Sequence, residues 1–294
     1  MNDRTNRVGG AADGAVWRDA LPPLLLIGCG RMGQAMLTGW NARNLAPSAV
    51  VAPSLDAGHH AVSRHDLFRD TPSAVAALLE AGTRPAAIVL AVKPQKADAV
   101  LPALAPLLGD GAAGPVVLSI MAGRTLAALA AQLPAGSRLV RSMPNTPAAI
   151  GRGVTVAVAG AGVDTVQRNL CDRLLRAAGA VEWVENEALL DAVTAVSGSG
   201  PAYVFLLAEL LERAGTAQGL PPALARTLAR ATVSGAGALL DALPDDADAL
   251  RRAVTSPGGT TEQALSVLMA PENWPSAVSD AVRAATERSR ALAG

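Results

Sequence analysis

Short, uninterrupted apolar runs recur along the first two thirds of the chain, with amphipathic stretches between most of them. Seven runs predict strands: LLLIG, AVVAPS, AAIVLAVKP, PVVLSIMAG, RLVRSMPN, GVTVAVAG and AVEWVE. Stretches such as SAVAALLEAG, LAALAAQL and VQRNLCDRLLRAAG predict helices between the strands. Continuously apolar strands that alternate with helices are typical of a parallel sheet covered on both faces. The pattern therefore predicts a doubly wound α/β domain of the Rossmann type over residues 21–185.

The pattern changes after residue 185, because no strand is predicted between residues 186 and 294. EALLDAVTAV, PAYVFLLAELLERAGTAQG, PALARTLARATVSGAGALLDAL and PSAVSDAVRAATERSRALAG all predict helices. Several of them are apolar on nearly every side, which indicates burial between helices. We expect PAYVFLLAELL to be buried against a second subunit, with burial inside a single chain as the alternative. The chain is thus predicted to end in an all-helical domain over residues 186–294.

Composition and the N-terminal segment narrow the class of protein. Residues 1–20 are polar and rich in glycine and alanine, without the apolar core of a secretory signal, and we expect a mobile extension. The run LPPLLLIG is too short to span a bilayer, which takes about 18 or more apolar residues. Zero net charge and 2% aromatic residues argue against nucleic-acid binding. Together with two cysteines in no disulfide or CxxC pattern, these features predict a cytoplasmic protein with no membrane partner.

The segment GCGRMG lies directly after the first predicted strand and opens a helix. Its glycines, Gly28, Gly30 and Gly33, form the G-x-G-x-x-G pattern of dinucleotide-binding turns. The first allows the tight turn, the second the approach of a pyrophosphate, and the third the close packing of helix on strand. We expect this turn, including Cys29, Arg31 and Met32, to bind a dinucleotide; a glycine-rich turn without ligand is the alternative.

The end of the second strand indicates which dinucleotide is bound. NAD-specific domains place an acidic residue there, on the ribose 2′-hydroxyl. Here the strand ends at Ser54 without an acid at its tip, and Asp56 comes slightly later. Ser54 could donate to a 2′-phosphate, with Arg64 or His59 adding positive charge. We therefore predict NADPH as the cofactor and keep NADH as the alternative.

Three further features bear on the cofactor and on metals. AVKPQ ends the third of these strands, so Ala91, Val92, Lys93 and Pro94 are expected beside the cofactor at the carboxyl edge of the sheet. In MPNTPA, at the same edge, Asn145 stands in a turn held rigid by two prolines and is expected to contact the cofactor; an ordinary proline-shaped turn is the alternative. The three histidines at 59, 60 and 65 lack the neighbouring ligands of a metal site, and no metal is predicted.

Two glycine-containing motifs stand in the helical half. In SPGGTT (256–261), Thr260 with Gln263 predicts a capping box at the start of a helix, and the exposed N–H groups there favour an anion. In SGSGPAY (197–203), Pro201 is expected at a first helical position, and Gly198 and Gly200 are expected to break the preceding helix. Plain helix capping and a plain hinge between helices are the alternatives.

Taken in order, GCGRMG, AVKPQ, MPNTPA, DAVTAVSGSGPAYVF and VTSPGGTT resemble pyrroline-5-carboxylate reductase over residues 22–290. The resemblance implies a Rossmann domain followed by an all-helical dimerisation domain, in a homodimer or a higher assembly of dimers. It implies transfer of hydride from NAD(P)H to the C=N carbon of 1-pyrroline-5-carboxylate, which gives L-proline. The N-terminal extension and VVAPSLDAGHH depart from the family pattern.

The resemblance also implies roles for residues of the two helical motifs. Ser256 and the backbone N–H groups of Gly259 and Thr260 would hold the substrate carboxylate, and Thr261 would hydrogen-bond the ring nitrogen as the catalytic residue. Ser199 and Gly200 would line the substrate pocket.

The helical half has no histidine or cysteine to serve as an acid or base. We therefore expect catalysis by positioning, with the cofactor supplying the reactive group. Two alternatives are a related imine reductase and a non-catalytic dinucleotide-binding regulator. The absence of lysine from residues 186–294 argues against reductases that use a helical lysine as acid, and the intact SPGGTT argues against a regulator.

Overall fold

The computed structural model describes residues 23–45, 48–53, 65–110 and 114–293. The N-terminal segment 1–20 and the predicted contacts Ser54, His59 and Arg64 lie outside the described residues.

An eight-stranded sheet forms the centre of the first part of the chain. Its strands are β1 Leu24–Ile27, β2 Ser48–Val51, β3 Asp66–Phe68, β4 Ala87–Leu90, β5 Val116–Ser119, β6 Leu139–Met143, β7 Gly153–Ala159 and β8 Gly179–Trp183. The order across the sheet is β3-β2-β1-β4-β5-β6-β7-β8. The first six strands are parallel and follow the Rossmann order, so the predicted fold class is confirmed.

The described chain also contains twelve helices. They are α1 Arg31–Ala42, α2 Thr71–Glu80, α3 Ala97–Val100, α4 Ala105–Leu108, α5 Leu126–Ala130, α6 Thr165–Arg176, α7 Leu189–Val193, α8 Gly200–Ala217, α9 Pro222–Ala242, α10 Ala247–Ala253, α11 Thr260–Leu268 and α12 Trp274–Ala293. Short 3₁₀ turns occupy Pro94–Lys96, Leu101–Leu104 and Thr146–Ile150, and a π turn occupies Thr194–Gly198.

The first strand shows why its run is apolar throughout. Leu24 and Leu26 belong to one buried apolar cluster, whereas Leu25 and Ile27 belong to a second cluster. Successive side chains of a strand point to opposite faces, so both faces of the sheet are packed against apolar side chains. A strand in this position cannot carry the alternating polar residues of a half-exposed strand.

The sheet departs from the sequence prediction at its two edges. The three-residue strand β3 was not predicted, because it is short, only half-buried and begins with Asp66. At the other edge β7 runs antiparallel to β6, and β8 runs parallel to β7. The connection from β6 to β7 is a single 3₁₀ turn, too short for the crossover that a parallel pairing requires.

The described chain forms two compact units, residues 23–193 with 289–293 and residues 194–288. The second unit is entirely helical in its described residues, and α8 packs along α9 within it. The domain boundary that the sequence places at residue 185 stays a prediction.

One helical run, Leu189–Ala217, is long and apolar enough to cross a bilayer when judged by length and composition alone. Its most apolar stretch has a mean hydropathy of 1.3, and only 11% of that stretch is buried inside the chain.

Helix α1 approaches the end of α6 closely enough for backbone contact. The indole N–H of the buried Trp40 donates to the carbonyl oxygen of Leu174 at 2.9 Å. Beside it, a Cβ atom on Gly39 would overlap with the carbonyl oxygen of Ala177. A glycine in mid-helix normally costs helix stability, so its presence here is explained by this close approach.

The substitution Gly39→Ala should lower the free energy of unfolding by about 1–3 kcal/mol, because overpacking against backbone outweighs the gain in helix propensity. The neighbouring exposed Thr38→Ala serves as the control and should stay within about 0.5 kcal/mol of the parent. Urea unfolding followed by circular dichroism measures both variants. An unchanged or higher urea midpoint for Gly39→Ala would show that α1 and α6 do not approach as described.

Candidate functional site

The glycine-rich turn between β1 and α1 is shaped by close backbone contacts. Gly28 has a φ of +96°, and a Cβ atom there would lie 2.6 Å from the carbonyl oxygen of Ala91 at the end of β4. A Cβ atom on Gly33 would overlap with the carbonyl oxygen of Gly28. No side chain other than hydrogen is tolerated at either position without movement of the backbone.

Gly30 differs from these two glycines because the space around it is open. It is the N-cap of α1, with no side chain bonded to the helix start, and a Cβ atom there would meet nothing within 4 Å. The first intrahelical bond is donated by the N–H of Gln34 to Gly30 O, at 2.9 Å. The N–H groups of residues 31–33 therefore have no intrahelical acceptor. A diphosphate can reach this helix start without meeting a side chain and can accept from its N–H groups.

Cys29 is buried within this turn and belongs to the apolar core. Desolvation by burial raises the pKa of its thiol to about 11, so the thiol is protonated at neutral pH. A buried protonated thiol acts as a small apolar filler, and any contribution of Cys29 to a ligand comes from its backbone.

A cleft of about 440 Å³ runs along the carboxyl edge of the sheet in front of the turn. Five of the predicted cofactor residues line it: Gly28, Gly30, Ala91, Val92 and Lys93. Arg31 and Met32 instead line a neighbouring hollow of about 380 Å³, together with Thr146 of the MPNTPA turn. The carboxyl edge of an open α/β sheet is the usual place for ligands.

Four further predicted cofactor residues do not line the cleft. Gly33 and Cys29 are buried behind it, and the carbonyl oxygen of Pro94 accepts a hydrogen bond from Arg124 at 3.0 Å. Asn145 is 9% exposed, and its side-chain oxygen accepts from the N–H of Val154 at 2.9 Å. That bond joins the turn after β6 to β7, so Asn145 has a structural role in addition to any contact with a cofactor.

One side of the cleft, formed by the segment after β3, was not predicted from the sequence. The cleft is lined there by Arg69, Asp70, Thr71 and Pro72. It is also lined by Lys96, in the 3₁₀ turn that follows β4. Asp70 is the N-cap of α2 and accepts from the N–H of Ser73 at 2.8 Å. The signal in the sequence was Asp-Thr-Pro, a helix start, but the strand before it was too short to be recognised.

The described residues contain no group of three or more histidine, cysteine, aspartate or glutamate side chains that could hold a metal ion. Of the three histidines, His65 is described. Its Nδ1 accepts from the N–H of Ser48 at 3.0 Å, and its Nε2 lies 2.8 Å from Asn41 Oδ1. The ring therefore connects α1, β2 and β3.

In the second unit, the loop before α11 corrects the predicted capping box. The N-cap is Gly259 rather than Thr260, and no side chain bonds to the helix start. Thr260 already has the place of the first helical residue, so its hydroxyl cannot cap the helix. Instead the carboxylate of Glu262 accepts from the N–H of Gly258 at 2.8 Å.

The same loop leaves several donors uncommitted. Gly259 N–H donates to the carbonyl oxygen of Ser256 at 3.0 Å and is therefore occupied. The first intrahelical bond comes from Gln263 N–H, so the N–H groups of Thr260 and Thr261 have no intrahelical acceptor. Within the described chain, none of the hydroxyls of Ser256, Thr260 and Thr261 has a hydrogen-bond partner. Three hydroxyls and two backbone donors at a helix start suit a carboxylate and a polar ring atom.

The SGSGPAY segment does not break the preceding helix as predicted. The helical run continues through the π turn at Thr194–Gly198, where Ser199 N–H donates to Thr194 O at 2.8 Å. Pro201 has no N–H to donate, and it stands at the second position of α8, after Gly200. The Tyr203 hydroxyl donates to Ala195 O at 3.1 Å, which satisfies one carbonyl of the widened turn. π turns are rare and frequently mark functional sites.

Ser199 and Gly200 are half-buried at this turn, and a Cβ atom on Gly200 would meet nothing within 4 Å. No hydrogen bond joins this turn to the loop of residues 255–262 in the described chain.

Comparison with known proteins assigns both units. Residues 187–292 match the family model for pyrroline-5-carboxylate reductase dimerisation, and residues 24–123 match the model described as NADP oxidoreductase, coenzyme F420-dependent. A pyrroline-5-carboxylate reductase from Pseudomonas aeruginosa is 37% identical to the chain, over 92% of this chain and 97% of the relative.

Two solved structures have the same fold over nearly their whole length. A pyrroline-5-carboxylate reductase from Coxiella burnetii superimposes with a TM-score of 0.83 at 34% identity, covering 92% of this chain and 98% of that one. A pyrroline carboxylate reductase from Plasmodium falciparum with NADP bound has a TM-score of 0.77 at 27% identity, covering 93% and 98%. The chain belongs to the pyrroline-5-carboxylate reductase family.

Proposed function

We propose that the chain reduces 1-pyrroline-5-carboxylate to L-proline, the last step of proline biosynthesis, with NADPH as the preferred hydride donor and NADH as the alternative. The observation that carries the proposal is the 37% identity to a pyrroline-5-carboxylate reductase over nearly the full length of both chains. The NADP oxidoreductase model matched by the first unit and the NADP-bound relative support the cofactor. These relatives favour this substrate over another imine and over a non-catalytic regulator.

The first unit binds the cofactor in this proposal. Gly28 and Gly30 let the backbone approach the diphosphate, which accepts from the open N–H groups at the start of α1. Lys93 adds positive charge at the end of β4, in the same cleft. When bound, the reduced nicotinamide supplies the hydride.

The second unit binds the substrate. The hydroxyl of Ser256 and the N–H groups of Thr260 and Thr261 donate to the carboxylate at the helix start, where the helix dipole also favours an anion. Gly259 contributes as the glycine N-cap that leaves this helix start uncovered, since its own N–H is occupied. Ser199 and Gly200 line the pocket at the π turn.

Catalysis then depends on position rather than on an acid or base from the helical half. Residues 186–294 contain no lysine, histidine or cysteine. The hydroxyl of Thr261 both donates and accepts, so it holds the ring nitrogen in either protonation state and passes it a proton from solvent. Fixing the C=N carbon in reach of the hydride donor contributes several orders of magnitude in rate.

A homodimer, or a higher assembly of dimers, is the proposed working form. An apolar groove of about 430 Å³ in the second unit is lined by α8 and α12, including Val204, Leu206 and Val278. These side chains are 46%, 51% and 56% exposed in the single chain. The dimerisation model matched by residues 187–292 supports a second copy as the cover, rather than a membrane around the apolar run Leu189–Ala217. We propose accordingly a cytoplasmic enzyme with no membrane or nucleic-acid partner.

Purified protein supplied with 1-pyrroline-5-carboxylate should oxidise NADPH faster than NADH. It should form one molecule of L-proline for each molecule of cofactor oxidised. The loss of reduced-nicotinamide absorbance measures the rate, and amino-acid analysis identifies the product. If the protein binds NADPH but produces no proline with either cofactor, the proposed substrate is wrong.

Thr261→Val should lower kcat by about tenfold or more and raise KM for the imine, because the variant keeps the shape of threonine but loses the hydroxyl on the ring nitrogen. Thr261→Ser retains the hydroxyl and should recover most of the rate. Ser256→Ala should mainly raise KM, since it removes one carboxylate donor. Ser266→Ala, on the same helix, is the matched control and should have parent kinetics. Parent kinetics in Thr261→Val would exclude the proposed role of this hydroxyl.

Val278→Glu should shift the dimer towards monomer, since an unpaired carboxylate in an apolar interface costs several kcal/mol, and each 1.4 kcal/mol or so weakens association about tenfold. Val166→Glu is the matched control, because Val166 is 76% exposed on α6 of the first unit. Size-exclusion chromatography with light scattering gives the mass of each variant. A Val278→Glu dimer as stable as the parent would place the interface on another face.

A further inference from the structure

Arg69 holds a position at the carboxyl edge of the sheet that none of the predicted cofactor residues occupies. It follows β3 directly, and its guanidinium Nη1 donates to the carbonyl oxygen of Pro53, just beyond β2, at 2.7 Å. The side chain therefore reaches across from the end of β3 to the end of β2. Both Arg69 and Pro53 line the cleft that contains Gly28 and Gly30.

The order of the sheet separates the positive charges of this cleft into two groups. The sequence contains two lysines, Lys93 and Lys96, and both lie on the β4 side of β1. Arg69 lies on the other side of β1, where β2 and β3 end. In a Rossmann domain the diphosphate lies at the turn after β1, and the adenosine ribose lies beside the end of β2. Arg69 is thus on the adenosine side of the cleft.

Most N–H donors of the Arg69 guanidinium have no acceptor within the described chain. Its one hydrogen bond within the described chain is the bond to Pro53, and no described carboxylate forms an ion pair with it. Arg69 is exposed to solvent along the cleft. An arginine presents five N–H donors in a planar fork that matches the oxygens of a phosphate.

Asp70, the acidic residue next to Arg69, caps helix α2. Asp70 lines the same cleft, and an acid near the end of β2 would favour the ribose 2′-hydroxyl of NAD. However, its carboxylate caps α2 by accepting from the backbone N–H of Ser73, and hydrogen bonds from Ser73 lower the pKa of Asp70. One oxygen of this carboxylate, Oδ1, is therefore already engaged by the helix start.

We infer that Arg69 binds the 2′-phosphate of the adenosine ribose and sets the preference of the chain for NADPH over NADH. This inference rests on the proposed function only in taking a nicotinamide dinucleotide as the ligand of the cleft. The residue that sets the preference then follows β3 and lies outside the tip of β2, where Ser54 was predicted to contact the 2′-phosphate.

Equilibrium binding tests this role without catalysis. Titrations of the full-length protein with NADPH, NADH and 2′,5′-ADP, followed by fluorescence or calorimetry, give the dissociation constants. Arg69→Ala should weaken NADPH and 2′,5′-ADP by about tenfold or more, the usual loss for a charge-assisted hydrogen bond, and change NADH by less than about twofold. The probe 2′,5′-ADP carries the adenosine 2′-phosphate but no nicotinamide, so its binding reports on this end of the cleft alone.

Two further variants test whether the positive charge of Arg69, and not its hydrogen bond to the segment after β2, is responsible for the effect. Arg69→Gln keeps an N–H donor for Pro53 O and removes the positive charge, so it should behave like Arg69→Ala. Arg84→Ala makes the same change in net charge at the amino ends of the strands, just before β4. It should leave the dissociation constants of all three ligands unchanged.

Two results would overturn the inference: equal weakening of NADPH and NADH, which would indicate stacking on adenine or support of the loop, or unchanged NADPH binding in Arg69→Gln. If the parent protein binds NADPH tightly but reduces no 1-pyrroline-5-carboxylate, the proposed function fails while the role of Arg69 is still measured by the same titrations.

Discussion

The close approach between the turn after β1 and the end of β4 is the constraint on which the cofactor cleft depends. Gly28 can adopt its left-handed φ and lie against Ala91 only because it has no Cβ atom. This contact fixes where α1 begins, and Gly33 then lets the helix pack onto the same turn. The uncapped helix start and the open space at Gly30 follow from this geometry. The first unit therefore presents backbone rather than side chains at the point where a diphosphate would lie.

Much of this unit could be predicted from the sequence, because its determinants are local. Apolar runs identified seven of the eight strands, and the glycine spacing identified the turn with its correct neighbours. The two misses have different physical causes. Strand β3 has only three residues at the sheet edge, one exposed and two half-buried, too few for a periodic signal, and Arg69 was missed with it. The reversal of β7 depends on the length of a connection, and a list of strands does not contain that information.

The second unit shows the limit of motif rules. Ser or Thr followed three residues later by Glu or Gln predicts a capping box. Here the chain uses Gly259 as the N-cap, and Glu262 satisfies the N–H of Gly258 instead. Likewise, Gly-Ser-Gly-Pro indicated a break between helices, whereas a π turn carries the helix through. Both differences concern which acceptor each backbone N–H finds, and motif spacing alone does not predict that choice.

The uneven use of basic residues has a practical consequence for handling this enzyme. Nearly all the positive charge of the chain is arginine, and the two lysines both line the cofactor cleft. Apart from the α-amino group, every primary amine of the polypeptide is thus located at the proposed cofactor site. Amine-reactive dyes, cross-linkers and resins would therefore couple to the folded protein either at the α-amino group or at that cleft, and the bound cofactor would shield the two lysines from labelling. Immobilised or labelled forms are better attached through carboxylates or an added terminal tag.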